Sequence, residues 1–108
     1  MTLKEIITTL REPQGLSPGV VQTMRDYVVA DYAQSAELLA DILGLKPEAW
    51  IGFRKLTKSS AEADRQWEAT EAGGKEIRLR LHLKALEKLS STLKSRLEVM
   101  SNEARNLF

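Results

Sequence analysis

Residues 75–107 read KEIRLRLHLKALEKLSSTLKSRLEVMSNEARNL, and this stretch decides the fold. Its first part, from Ile77 to Lys84, alternates apolar and polar residues without a break, which by itself is typical of a β-strand. A strand needs a partner, and no second alternating run exists elsewhere in the chain. If residues 77–84 formed a strand, we would expect it to pair with another copy of the chain.

A longer repeat in the same stretch favours a helix. Two rows of residues recur every seven positions, the second row four residues after the first, and Ser90 is the one polar break in them. The rows are Leu79, Leu86, Leu93, Met100 and Leu107, and Leu83, Ser90, Leu97 and Ala104. Such spacing is the signature of a heptad seam on one helix face. The sequence therefore predicts one long helix from about Lys75 to Arg105.

The rest of the chain also predicts helices. Thr2 and Glu5 form a capping-box pattern ahead of a helix over 2–11, which Glu12-Pro13-Gln14-Gly15 interrupts. Ser17-Pro18 starts a helix that we expect to run to Leu43, because a serine cap followed by proline suits a helix start. Gly44, Leu45 and Pro47 together predict its end in a left-handed cap.

Two further short helices complete the prediction. Pro47 would open a helix over 47–57, and Ser59 with Glu62 would cap another over 61–72. Gly73-Gly74 predicts a turn, since two glycines cost a helix interior about 2 kcal/mol relative to alanine. The expected fold class is all-α, a small helical bundle of four to five helices with a long C-terminal helix, forming a single helical domain over residues 1–108.

Composition excludes several kinds of chemistry. The 108 residues contain no cysteine and one histidine, so disulfides, thiolate catalysis and multi-histidine metal sites within one chain are ruled out. No nucleotide-binding or catalytic motif occurs. We therefore expect no enzyme activity, no catalytic residue, no metal and no cofactor. The start of the chain lacks a signal-peptide pattern and no apolar run is long enough to cross a membrane, so we expect a soluble, cytoplasmic protein.

The leucine seam is the first candidate functional surface. Its members are Leu79, Leu83, Leu86, Leu93, Leu97 and Met100. They would form a homo-oligomer or bind a helical protein partner, because a helix of some 30 residues is roughly 45 Å long and the earlier helices could not cover all of it. The alternative is that the seam packs on the helix over 17–43 within one monomer, and the extra apolar residues Ile77, Leu81 and Leu89 favour such a bundle.

The second candidate surface is basic. Residues 75–96 hold seven lysines and arginines against Glu76 and Glu87, a local charge of +5, whereas the whole chain carries +1. Such a helix face could contact the phosphates of DNA or RNA in a salt-dependent way, or could simply be solvated. The candidate nucleic-acid-binding residues are Arg78, Arg80, Lys84, Lys88, Lys94 and Arg96.

The remaining chemistry-bearing residues are assigned structural roles. We expect Trp50, Trp67 and Phe53 to be half-buried core residues, with their indole N–H groups satisfied. The acidic residues Glu62, Asp64, Glu68 and Glu71 would form a solvated face that pairs with Arg65 or Lys75. His82, beside the seam, would be a surface or interface histidine.

The last third of the chain resembles small viral or phage accessory proteins for DNA recombination or packaging. The likeness rests on Lys94-Ser95-Arg96 in a predicted helix and on the final Leu107-Phe108. These proteins are short helical chains that oligomerise and contact nucleic acid through basic residues. The resemblance therefore implies a nucleic-acid-binding accessory role as the alternative to a protein-interaction module, and it assigns no role to any single residue.

Overall fold

The computed structural model describes residues 1–12 and 16–106, and in these ranges the protein is all-α, with four helices and no strand. The helices are α1 (Leu3–Arg11), α2 (Pro18–Leu56), α3 (Ser60–Glu68) and α4 (Glu71–Asn106). The long C-terminal helix is confirmed, and Ile77 to Lys84 lie within it. The predicted break at Pro13, Gln14 and Gly15 and the final residues Leu107 and Phe108 lie outside the described residues.

The predicted helix starts are made by side-chain caps. The Thr2 hydroxyl accepts a hydrogen bond from the Glu5 N–H at 3.2 Å, and the Glu5 carboxylate accepts one from the Thr2 N–H at 3.3 Å, which completes the capping box. The Ser17 and Ser59 hydroxyls accept from the N–H groups three residues later. At α3 the Glu62 carboxylate accepts from Lys58 N–H. Each cap satisfies backbone donors that lack a partner inside the helix.

The chain folds into two compact units, to which both long helices contribute. Unit 1 comprises residues 1–32 and 85–108, and unit 2 comprises residues 33–84. The core of unit 1 joins α1, the first half of α2 and the second half of α4 through buried aliphatic side chains. Its fully buried members are Ile6, Val21, Met24, Val28, Leu86 and Leu93.

Unit 2 has a smaller apolar core and a buried polar centre. Leu39, Ala63 and Trp67 are buried, and Ser35 and Glu76 are buried with them. The helix α3 packs Ala63 and Trp67 inward on one face, since these residues are four positions apart. The polar centre around Glu76 lies where α2, α3 and α4 of this unit meet.

The predicted helix end at Gly44 is wrong, because α2 continues through Gly44 and Pro47 to Leu56. A proline inside a helix costs about 3 kcal/mol, so other contacts must offset this cost. They lie on both sides of Pro47: Lys46 pairs with Glu76, and the Trp50 indole donates to Asp64 at 2.7 Å. These contacts to residues distant in sequence favour the continuous helix, and Leu45 stays exposed instead of closing a cap.

The predicted turn at Gly73-Gly74 is also wrong. Both glycines lie in the first turn of α4, and the chain turns at Ala69 and Thr70. The Thr70 hydroxyl accepts from Gly73 N–H at 3.0 Å and donates to Trp67 C=O at 2.6 Å, so it caps the new helix. A Cβ on Gly73 would lie 1.9 Å from the Trp67 carbonyl oxygen. Gly73 is therefore needed for the close approach of α3 and α4.

Candidate interaction surfaces

The leucine seam divides between the two units. In unit 1, Leu86 and Leu93 are fully buried, and Leu97 and Met100 pack against the same core as half-buried side chains. These four residues therefore pack on α1 and α2 of their own chain. In unit 2, Leu79 and Leu83 are half-buried. Of the six seam residues, Leu79 is the one that lines an open groove in unit 2.

That groove has an apolar floor and a mixed charged rim. Leu38, Ile42 and Leu79 form the floor between α2 and α4, and the space measures about 710 Å³. Leu38 is 50% exposed, so it offers apolar surface to the groove. The rim carries Lys75, Arg78 and His82 on α4 and Asp41 on α2. Lys75 also lies 3.5 Å from Glu71 in an exposed ion pair. For brevity we refer to this site as the unit-2 groove.

The six candidate nucleic-acid-binding residues are also shared between the units. Arg78, Arg80 and Lys84 lie in unit 2 and are exposed. The guanidinium of Arg80 donates to Glu76 at 2.8 Å, so its charge is already engaged within the chain. Lys88 and Lys94 are exposed in unit 1, and Arg96 is half-buried there beside Val99 and Ser95. The structure thus leaves five of the six charges without a carboxylate partner among the described ion pairs.

A buried carboxylate holds the centre of unit 2 together. Glu76 Oε1 accepts from the Trp67 indole at 2.9 Å and lies 3.1 Å from Lys46 Nζ, and its Oε2 accepts from Arg80. The Lys46 ammonium also sits 5.8 Å from the centroid of the Trp67 ring, within cation–π range. Both oxygens are therefore satisfied by charged or indole donors. The arrangement is that of a structural hub, in which three helices converge on one side chain.

The same donors set the ionisation of Glu76. Burial raises the pKa of this carboxyl, but the hydrogen bonds from Arg80, Trp67 and Lys46, with the positive charge of Lys46, outweigh that effect. Together they lower the pKa of Glu76 from 4.5 to about 2. Glu76 is therefore ionised throughout the neutral range, as its cationic partners require.

The burial and hydrogen bonding of the other residues identified from the sequence are largely as expected. Trp67 is buried and Trp50 and Phe53 are half-buried, and both indole N–H groups are hydrogen-bonded. Asp64, Glu68 and Glu71 are exposed and Glu62 is half-buried, with Glu71 paired to Lys75. Asp64 accepts from Trp50 instead of pairing with a cation. His82 is half-buried on the rim of the unit-2 groove.

A second hollow, in unit 1, coincides with the break in the leucine seam. Ser90 and Ser91 on α4 and Val28 and Val29 on α2 line a cavity of about 360 Å³, which we name the Ser90 hollow. At its edge the Tyr32 hydroxyl donates to the Glu87 carboxylate at 3.0 Å. This hydrogen bond, and then the charge of Glu87, raise the pKa of Tyr32 above 10.0.

Sequence reasoning missed both the Glu76 hub and the Ser90 hollow. Lys46, Trp67 and Glu76 are far apart in sequence, so no local spacing could show that they converge. The hollow had a signal, since Ser90 is the one polar residue within two otherwise apolar or small rows. A small polar side chain at a seam position leaves space that leucine would fill.

The described part of the chain offers no metal centre and no membrane span. Residues 1–12 and 16–106 contain no group of three or more histidine, cysteine or carboxylate side chains placed to hold a metal ion. Within the same ranges, every helix lacks the combination of length and apolar character that a bilayer crossing requires. Comparison with known proteins found no matching family model, no matching curated protein and no matching solved structure.

Proposed function

We propose that this chain is a non-enzymatic helical interaction module that binds an amphipathic helical partner in the unit-2 groove. The observation that carries the proposal is the half-exposed Leu38 beside Ile42 and Leu79 in an open groove between two helices. Exposed apolar residues grouped in a groove are typical of partner-binding sites. A third helix lying between two others is a common mode of peptide recognition.

The partner proposed is helical, as the sequence predicts, but not all six seam residues contact it. Leu86 and Leu93 have no exposed surface, so a partner could reach them only by opening the core of unit 1. Leu79, at the start of the seam, faces the groove. On α4, Leu79 is followed by His82 and preceded by Lys75, so the groove-lining positions follow helical spacing over two turns. This length suits a short helix docking along α4.

The charge of the rim defines the chemistry of the partner. Lys75 and Arg78 bring two positive charges, against the single carboxylate of Asp41. The ion pair of Lys75 with Glu71 is exposed and worth little, so it can be exchanged for a partner's carboxylate. We infer that the partner helix carries leucine-like residues on one face and acidic residues beside them. A second copy of this chain is the competing occupant.

The experiment uses two fluorescent helical peptides with the same leucine spacing, one with glutamates and one with lysines on the flanks. We expect the acidic peptide to bind the full chain more tightly in an anisotropy titration. Leu38→Glu should abolish that binding, because it puts a like charge on the groove floor. Leu45→Glu, a change at an exposed α2 leucine outside the groove lining, is the matched control and should bind normally.

Three results would contradict this proposal. If both peptides bound with equal affinity, the rim charges would not select an acidic partner. If Leu38→Glu and Leu45→Glu lost peptide binding equally, the groove would not be the binding site. Light scattering that shows an oligomer in the wild-type chain and a monomer in Leu38→Glu would assign the groove to a second copy. The proposal instead predicts that light scattering gives the mass of a monomer for the wild-type chain before the peptide is added.

The second candidate function is nucleic-acid binding, and it is supported by the exposed lysines of α4. Lys84, Lys88 and Lys94 are exposed and form no described ion pair. The engagement of Arg80 with Glu76 weakens this candidate, because one of its six charges is already balanced. Binding to a DNA or RNA oligonucleotide should fall steeply between about 50 and 200 mM salt. Absence of binding at the lower salt concentration would exclude it.

A further inference from the structure

The apolar floor of the unit-2 groove continues along α2 beyond the groove. Leu38 and Ile42 belong to the floor, and the same spacing leads on to four further positions without a polar or charged side chain. The full set, which we name the α2 ridge, is Leu38, Ile42, Leu45, Ala49, Gly52 and Leu56. Its members are alternately four and three residues apart, which places them in one stripe on a helix. The ridge covers roughly 27 Å, or about five turns, of α2.

The part of the ridge beyond the groove is open to solvent. Leu45 is 67% exposed and Leu56 is 84% exposed, the two largest fractions for a large apolar residue within 1–12 and 16–106. Between them Ala49 is half-buried and Gly52 is exposed, and a Cβ added at Gly52 would meet nothing within 4 Å. Small residues between two leucines leave a depression that the side chains of a second helix can fill. This part of α2 therefore offers apolar surface that a partner reaches without opening a core.

The two sides of the ridge carry different charges. Asp41, Glu48 and Lys55 form a row of exposed residues seven positions apart on one side of the ridge. None of the three takes part in an ion pair within the described ranges. On the other side, at the groove, Lys75 and Arg78 of α4 form the rim. A helix lying between these sides would need acidic residues towards α4 and basic residues towards Asp41 and Glu48.

We propose that the α2 ridge binds one helix of a protein partner, about five turns long, that enters the unit-2 groove and continues along α2 to Leu56. The partner would carry leucine-like residues at the spacing of the ridge, glutamates on the side that meets α4, and lysines on the side that meets Asp41 and Glu48. This inference rests on the proposed function, and it adds the length of the partner and the arrangement of its charges. The passage of α2 through Pro47 creates the site, because a helix that ended at Gly44 would not keep the later residues in the same stripe.

The test compares two fluorescent peptides in anisotropy titrations of the full chain. Both carry the same groove-binding sequence and are held helical by side-chain staples, and one is about two turns long and the other about five. We expect the long peptide to bind at least about tenfold more tightly, because it also covers Leu45 and Leu56. A long peptide with its glutamate and lysine sides exchanged should lose this gain, since its charges would then face like charges.

Variants at exposed positions of α2 test where the long peptide lies. Leu56→Gln should reduce the affinity of the long peptide towards that of the short one and should leave the short one unchanged. Leu45→Glu should have the same effect on the long peptide. Ile51→Gln is the matched control, because Ile51 is 51% exposed on the same helix but lies outside the ridge, and it should bind both peptides as the wild type does. Circular dichroism checks that each variant is folded.

The possible outcomes separate this inference from the proposed function. If neither peptide bound, both would be wrong. If the short peptide bound and the long one bound no more tightly, the groove would remain the binding site and the ridge would be contradicted. Equal loss of long-peptide binding in Leu56→Gln and Ile51→Gln, or equal binding of the charge-exchanged peptide, would also overturn the inference. Light scattering that gave a dimer for the wild type and a monomer for Leu56→Gln would assign the ridge to a second copy of the chain and would overturn it as well.

Discussion

At the scale of single residues, Glu76 shows how one carboxylate can organise a small unit. It is 7% exposed, and it is held by one indole and two cationic side chains. Lys46 and Arg80 are partly exposed, at 33% and 52% of their side chains, so both cations keep some hydration. This lessens the cost of desolvation that makes many buried ion pairs unfavourable. We therefore expect the hub to stabilise the fold as well as to fix how α2, α3 and α4 pack in unit 2.

We expect Glu76→Gln to lower the free energy of unfolding by about 2 kcal/mol at neutral pH, since two cations lose their carboxylate. The lowered pKa makes the contribution of Glu76 depend on pH. Because its folded pKa is about 2, below the ordinary 4.5, the stabilisation is complete above pH 4.5 and is lost as the pH falls towards 2.

Urea unfolding of the wild type and Glu76→Gln at about pH 7 and pH 3 measures this difference. The gap between the two proteins should narrow at the lower pH. Glu71→Gln is the matched control, because Glu71 makes an exposed pair and should change stability by less than about 0.5 kcal/mol. A gap that stays constant with pH would contradict the assignment of Glu76 as the titrating group.

The two adjacent glycines give a second residue-scale prediction. Gly73→Ala should destabilise the protein by more than about 2 kcal/mol, because its Cβ would collide with the backbone of Trp67, which cannot move away cheaply. Gly74→Ala should instead be neutral or stabilising by up to about 1 kcal/mol, since its Cβ meets only the Arg78 side chain at 3.6 Å. Thermal unfolding of both variants measures this difference. Similar unfolding midpoints would contradict the close approach of α3 and α4 at Gly73.

At the scale of elements, the 39-residue helix α2 is the main departure from the sequence prediction. The local signals at Gly44 and Pro47 favour an end, whereas contacts of Lys46 and Trp50 with α4 and α3 hold the helix on both sides of the proline. Gly44 and Pro47 themselves are exposed, and a Cβ added at Gly44 would meet nothing within 4 Å. The helix therefore persists because of the neighbours of these two residues.

Gly44→Ala distinguishes a continuous helix α2 from a helix that ends in a left-handed cap at Gly44. In a continuous helix with open space around Gly44, alanine should raise the free energy of unfolding by about 1 kcal/mol. In a left-handed cap the same change would lower it by a similar amount. Gly52→Ala, also in α2 and also in open space, provides the reference value for a helical glycine. Opposite signs for the two variants in denaturant unfolding would show that the helix ends at Gly44.

At the scale of the whole molecule, the unit-1 members of the leucine seam complete a core within the chain. Leu93→Ala should therefore cost about 2–5 kcal/mol, because it opens a cavity among fully buried side chains. Leu81→Ala, at a leucine that is 62% exposed on the same helix, should cost less than about 0.5 kcal/mol.

The unfolding midpoint of the wild type should also stay constant over about a hundredfold range of protein concentration, since a core completed within one chain does not depend on association. A midpoint that rises with concentration would mean that seam residues are buried between copies. Circular dichroism at several concentrations, with urea as denaturant, measures this directly.

The sequence by itself determined the helical class, the caps at Thr2, Ser17 and Ser59, and the long C-terminal helix. These features are local, because a cap reaches three residues along the chain and a helical face repeats within seven. Tertiary structure decided the passage of α2 through Pro47 and the environments of Glu76 and Ser90. Each of these depends on residues far apart in sequence, whose contacts outweigh a local cost of about 1 kcal/mol for a glycine or about 3 kcal/mol for a proline.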